Sequence, residues 1–128
     1  MIEWKDCVKL TDNIEDYEKE FKQKLPDDLK KNILENNMGS PIPNTFKLPN
    51  GEKNILKSML SFNRKDKMNA YFCKKLEQIP KEVFPFAIDP FGNFICLKNS
   101  QIVFFDSELE KCKYICASFS ELLESLTT

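Results

Sequence analysis

The feature that most constrains the fold is the stretch after Ile79, where short apolar runs alternate with turn residues and leave no room for a helix between them. Phe86-Ala87-Ile88, Phe94-Ile95-Cys96-Leu97, Gln101-Ile102-Val103-Phe104-Phe105 and Lys113-Tyr114-Ile115-Cys116-Ala117 are rich in β-branched and aromatic residues, as strands are. Pro90-Phe91-Gly92-Asn93, then Lys98-Asn99-Ser100, then a polar connection after Phe105 separate them. Parallel neighbours need a crossover of a dozen or more residues, so the spacing predicts an antiparallel meander. The sharp reversal at Asp89-Pro90-Phe91-Gly92-Asn93 predicts a positive φ at Gly92, which a residue without Cβ adopts at no steric cost.

The first half reads differently. Ile14, Tyr17, Phe21 and Leu25 recur at helical spacing and predict a helix over Asn13–Lys24, with Asp12 and Glu15 placed as a capping box. Pro26 suits a first helical turn, and Asp27 and Asp28 suit its positive end. Leu29, Ile33 and Leu34 then mark an apolar stripe, and Gly39 a left-handed stop. Phe46-Lys47-Leu48 reads as a strand, Asn50-Gly51 as a tight turn, and Leu56, Ser58, Leu60 and Phe62 as the returning strand. Helical spacing returns over Asp66–Gln78, with Met68, Phe72, Leu76 and Ile79 inward. Ser118-Phe119-Ser120-Glu121 caps a closing helix carrying Leu122, Leu123 and Leu126. The order is α-α-β-β-α-β-β-β-β-α. The expected architecture is α+β, an antiparallel twisted sheet of about six strands flanked by helices, within one domain over residues 1–128.

Charge narrows the partners. The net charge is −1, so the whole-molecule field draws in neither nucleic acid nor an anionic membrane. The charges are nevertheless segregated. Residues 1–28 carry nine acids and five lysines, residues 47–75 eight bases and two acids, and residues 76–128 eight acids and four lysines. Such segments either cancel across the folded surface or leave patches for a charged partner. No apolar run approaches the ~20 residues of a membrane span, and Met1–Lys9 lacks the apolar core of a secretory leader. Five cysteines without paired spacing fit a reducing compartment, so the expectation is a cytoplasmic protein with free thiols.

There is no histidine, which removes Ser-His-Asp and Cys-His nucleophile pairs and the side chain that most often moves protons at neutral pH. Cys112 and Cys116 are the nearest thiols in sequence. On one strand they stand ~13 Å apart, too far to share a metal, and only a turn at Cys112 brings them closer. Asp89 and Asp106 both fall at strand ends, where a sheet enzyme places carboxylates, but Asp89 before Pro90 is also a turn-former. The basic stretch Arg64-Lys65-Asp66-Lys67 with Tyr71 and Phe72 is either a nucleic-acid patch or a solvated face over core aromatics.

Three segments together resemble the SUKH superfamily, in the branch related to a fungal cell-wall synthesis regulator (Smi/Knr type). The first runs from Tyr17 through Leu25-Pro26-Asp27-Asp28-Leu29 to Asn36-Asn37-Met38-Gly39-Ser40-Pro41, similar to a Leu-Pro step, a helix and a glycine-rich stop followed by Pro. The second is Phe84-Pro85-Phe86-Ala87, Asp89 and Gly92-Asn93-Phe94-Ile95-Cys96-Leu97, like the family's strand–turn–strand. The third is Ile102-Val103-Phe104-Phe105-Asp106 with Ala117-Ser118-Phe119-Ser120-Glu121-Leu122-Leu123. Asn37-Met38-Gly39 departs from the commoner double glycine.

The resemblance implies an immunity protein of a polymorphic or contact-dependent toxin system. It implies no enzyme activity, no cofactor, and a cognate protein toxin, a nuclease or deaminase, as partner. A scaffold module regulating cell-wall synthesis or secretion is the alternative. No nucleic acid or membrane partner is expected, and the protein is expected as a monomer or weak homodimer. A nuclease presents basic surface, so its inhibitor gains from acidic groups around an apolar centre. The acidic candidates are Asp27 and Asp28 at the second helix, Asp89 in the first meander turn, and Asp106, Glu108 and Glu110 after Phe105.

Overall fold

The computed structural model describes all 128 residues. It is an α+β fold in which the C-terminal half follows the meander that the sequence predicts. Strands β1 (Glu3–Lys5), β2 (Ser40–Ile42), β3 (Thr45–Lys47), β4 (Lys53–Ile55) and β5 (Ser58–Met59) precede β6 (Phe84–Ile88), β7 (Phe94–Lys98), β8 (Gln101–Asp106) and β9 (Lys111–Cys116). Helices are α1 (Ile14–Phe21), α2 (Asp27–Asn36), α3 (Ala70–Lys74) and α4 (Phe119–Ser125). Strands β5 to β9 form one antiparallel sheet in chain order.

The strands expected after Phe46 divide. β3 and β4 form a separate two-stranded sheet around the turn at Gly51 (φ 89°), with Thr45 also bridging Thr127, and β5 alone joins the large sheet. β1 escaped the sequence reading because Trp4 pairs with Pro41, far along the chain.

Phe84–Ala87, Phe94–Leu97 and Ile102–Phe105 are each four consecutive buried residues. Successive side chains in a strand point to opposite faces, so these central strands are covered on both. Tyr17 of α1 meets Phe62 and Tyr71 edge-on at centroid distances of 5.0 and 5.3 Å. Phe119 of α4 meets Phe86 of β6 at 5.6 Å. Such edge contacts place the positive ring rim over the negative face.

Several local expectations are corrected. Asn13, not Asp12, caps α1, its side chain accepting from the Glu15 N–H, while Asp12 Oδ2 accepts from the Arg64 N–H at 2.8 Å. Leu34 is exposed, so the buried stripe of α2 is Leu29, Asn32 and Ile33. Met38 takes the left-handed conformation after α2 (φ 64°). Gly39 serves close approach instead. A Cβ there would stand 2.9 Å from both the Asn36 carbonyl oxygen and Cys7 Sγ. The helix expected over Asp66–Gln78 shrinks to α3, because the Met68 carbonyl accepts from the Ser61 N–H (2.9 Å) and the Ala70 N–H donates to the Ser61 carbonyl (2.8 Å). Asn69 then caps α3 by accepting from the Phe72 N–H, and Met68 and Phe72 are left exposed.

A buried polar hub joins the N-terminal third to this segment. Asn63 Oδ1 accepts from the Thr11 and Asp12 N–H groups at 2.7 and 3.1 Å, and its amide donates to the Lys9 carbonyl at 2.8 Å. Asn37 accepts from the Phe62 N–H and donates to the Val8 carbonyl and Ser61 Oγ. Ser61 donates to Asp66 Oδ2 at 2.6 Å. These side chains occupy backbone groups that no sheet or helix satisfies, which is how buried irregular chain avoids orphaned donors.

Candidate functional site

The turn between β6 and β7 is built by one carboxylate. Asp89 is buried, and its Oδ1 accepts from the Phe91 and Asn93 N–H groups, both at 2.8 Å. Its Oδ2 accepts from the Asn93 amide at 2.9 Å. Gly92 takes φ 85°, the left-handed conformation expected of it. With the backbone so folded, Phe91 points outward and is 84% exposed.

The turn between β8 and β9 is built the same way. Asp106 Oδ1 accepts from the Glu108 and Leu109 N–H groups at 3.0 Å. Ser107 then links the two turns. Its N–H donates to Asn93 Oδ1 (2.9 Å) and its hydroxyl to the Gly92 carbonyl (2.7 Å). One end of the sheet therefore presents Phe91, Glu108, Leu109 and Glu110 together, all exposed. Leu109 is 58% exposed. Glu77 and Gln78 stand alongside Ser107 and Glu110 and line an open groove of about 610 Å³.

No ion pair engages the acids at this end. The protein's ion pairs use Glu3, Glu15, Glu18, Glu20 and Glu52, and none engages Glu77, Glu108 or Glu110.

The other acidic candidates lie elsewhere. Asp28 Oδ2 accepts from the Ser120 N–H and hydroxyl at 2.9 and 2.8 Å, which ties α2 to the first turn of α4. Asp27 is exposed beside it. Helix α4 follows Cys116, while the Asp106–Glu110 turn leads into Lys111. The five steps of β9 separate the two groups by about 16 Å of extended chain. The six candidates thus form two sets, and Asp28, Asp89 and Asp106 commit oxygens to backbone donors.

Cys73 and Cys96 are buried in the core, Cys112 and Cys116 are partly buried, and Cys7 is exposed. All five cysteines are unpaired. Burial pushes the Cys96 thiol well up and the Cys73 thiol up to about 11, so both stay protonated at neutral pH. Cys112 and Cys116 both sit on β9, the extended placement that keeps them apart. No three Cys, Asp or Glu side chains converge as a metal site.

Sequence reasoning missed Phe91, Leu109, Glu77 and Gln78. For Phe91 a signal existed, since a large apolar residue at the tip of a Pro-Phe-Gly-Asn turn has nowhere to go but outward. Glu77 and Gln78 carried none, because their position depends on where α3 ends.

A family model described as the SMI1/KNR4 family (SUKH-1) matches residues 10–125. No curated protein and no solved structure matches the chain. No helix is long and apolar enough to cross a membrane.

Proposed function

This chain belongs to the SMI1/KNR4 family (SUKH-1), and from that membership we propose that it is an immunity protein that neutralises a cognate toxin by binding it, not by catalysis. The partner is the toxin domain of a polymorphic or contact-dependent system, a nuclease or deaminase, met in the cytoplasm that the toxin would attack. The observation that carries this reading is the acidic end of the sheet. Glu108 and Glu110 stand exposed and unpaired beside Phe91 and Leu109, on turns whose backbones are already hydrogen-bonded into place. A nucleic-acid enzyme carries basic surface to hold its polyanionic substrate. An acidic surface covers that region and competes with the substrate, and complementary charge speeds encounter. Preformed turns reduce the ordering cost of binding.

The carboxylates best placed for chemistry support a binding role. Asp89 and Asp106 each hold a turn together through a side-chain oxygen, and loss of that oxygen would cost the loop its shape. The test is co-expression with the toxin domain encoded beside the gene. The reading expects cells to grow with both proteins and to die with the toxin alone, and expects a one-to-one complex on size-exclusion chromatography. Death in both cases, with no complex, would sink it.

A further inference from the structure

The sheet end has two chemistries, and they need not do the same job. Glu77 and Glu110 line a groove, Glu108 lies exposed in the adjoining turn, and none of the three is held in an ion pair. Phe91 supplies a ring that the fold leaves 84% exposed, the most exposed aromatic side chain of the molecule. The backbone that carries the ring is fixed, because Asp89 holds the Phe91 N–H itself at 2.8 Å and the Asn93 N–H on the far side of Gly92. Ser107 braces that turn from β8 through both Asn93 and Gly92. Leu109, 58% exposed, emerges from the neighbouring turn.

An exposed apolar side chain alone means little, since folded surfaces carry many. Phe72 and Leu34 are examples, exposed by 57% and 64%. Phe91 differs in being carried on a turn locked by several side-chain hydrogen bonds and in sharing one end of the sheet with exposed Leu109, Glu108 and Glu110 on the turn bonded to it. That is the composition of an interface centre, an aromatic anchor ringed by polar groups. An aromatic ring brings roughly 150–250 Å² of surface to bury, at the entropy cost of two torsions.

We infer that Phe91 is the anchor of this surface and inserts into an apolar pocket on a basic protein partner, while Glu77, Glu108 and Glu110 meet the cations around that pocket. The acids select the class of partner. They repel nucleic acid and anionic lipid, and they attract a lysine- or arginine-rich protein face. The inference rests on the immunity reading for the partner's identity, the toxin domain, and adds which residue seats it.

The two chemistries separate kinetically. Long-range charge governs how fast the proteins meet and is screened by salt, whereas a desolvated apolar anchor governs how slowly they part. The experiment titrates the purified toxin domain encoded beside the gene against full-length wild type, Phe91→Ala, Phe72→Ala and Leu34→Ala. Unfolding midpoints are recorded for each. Phe91→Ala is expected to weaken binding by at least about 100-fold, mostly through faster dissociation that persists at high salt, with an unchanged midpoint. Phe91→Leu is expected to recover part of the loss. Phe72→Ala and Leu34→Ala are expected to bind within about threefold of wild type. If Phe91→Ala binds within about threefold of wild type, the anchor is wrong and the immunity reading stands. If wild type itself does not bind, the immunity reading fails and takes the anchor with it.

Discussion

The Ser107 backbone N–H donates to Asn93 Oδ1 at 2.9 Å, and this bond joins the turn after β6 to the turn after β8. Two loops that neighbour each other only through β7 and β8 thereby become one rigid corner. Gly92 belongs to that corner, with φ 85° and its carbonyl accepting from the Ser107 hydroxyl. A Cβ at Gly92 meets nothing within 4 Å, so a substitution there is penalised by backbone conformation alone. Gly92→Val should destabilise the protein by more than about 1 kcal/mol, and Gly92→Asn by less, because Asn tolerates the left-handed region. Denaturant midpoints for the two variants check this.

The polar hub makes a second prediction. Asn63→Ala removes the acceptor of the Thr11 and Asp12 N–H groups and the donor to the Lys9 carbonyl. Orphaned donors cost about 1–3 kcal/mol each where water cannot replace the partner, so a loss of at least about 2 kcal/mol is expected by chemical denaturation. Asn63→Asp keeps the acceptor but faces Asp66 Oδ2, now 3.2 Å from the Asn63 amide. It should be destabilised more at neutral pH than at acid pH, where a protonated carboxyl can donate.

Gly39 offers a steric test. Its added Cβ would stand 2.9 Å from a backbone oxygen and 2.9 Å from Cys7 Sγ, with φ outside the left-handed range. Gly39→Ala should cost about 1–3 kcal/mol, as overpacking does. Cys7→Ala in the same chain should recover only part of this, since the Asn36 carbonyl stays. A double-mutant cycle by thermal or denaturant unfolding measures the recovered fraction.

Glu20 gives a pH signature. Hydrogen bonds from Lys75 and Arg64, at 2.8 and 2.7 Å, hold its carboxyl below the usual carboxylate range. A lowered folded value means stability that is fully present above the ordinary value of 4.5 and lost as pH falls through the folded value. The pair is solvent-exposed, so Glu20→Gln should cost at most about 1 kcal/mol at pH 7, less in high salt. The gap between variant and wild type should stay level down to about pH 5 and close on further acidification. Unfolding free energies across about pH 2–7 decide it.

What was legible in the sequence follows physical range. The meander was readable because its apolar runs and the Asp89–Asn93 and Lys98–Ser100 turns are local. Helix α4 was readable for the same reason. Ser118 accepts from the Glu121 N–H at 3.1 Å, although Glu121 reaches back to the Ala117 N–H and not to Ser118 itself. What was not legible depends on distant partners. Spacing alone could not show that Ser61 would take up Met68 and Ala70 and shorten α3. Nor could it show that Asp28 would hold Ser120, 92 residues away. The acidic candidates were visible as charge. Which of them stay free of the fold, Asp27, Glu108 and Glu110, depends on hydrogen bonds that only the folded chain makes.

The measurement that tests the central claim most directly is the association rate with the toxin domain that the proposal expects beside the gene, for wild type and for the triple change Asp106→Asn, Glu108→Gln, Glu110→Gln. The Asp106→Asn change keeps a side-chain oxygen for the Glu108 and Leu109 N–H groups, so stability should change by no more than about 0.5 kcal/mol per site. The account predicts association slowed about tenfold or more at low salt, with the two proteins converging at high salt. Equal association rates at both salts, with equal unfolding midpoints, would contradict it and move the binding face away from this end of the sheet.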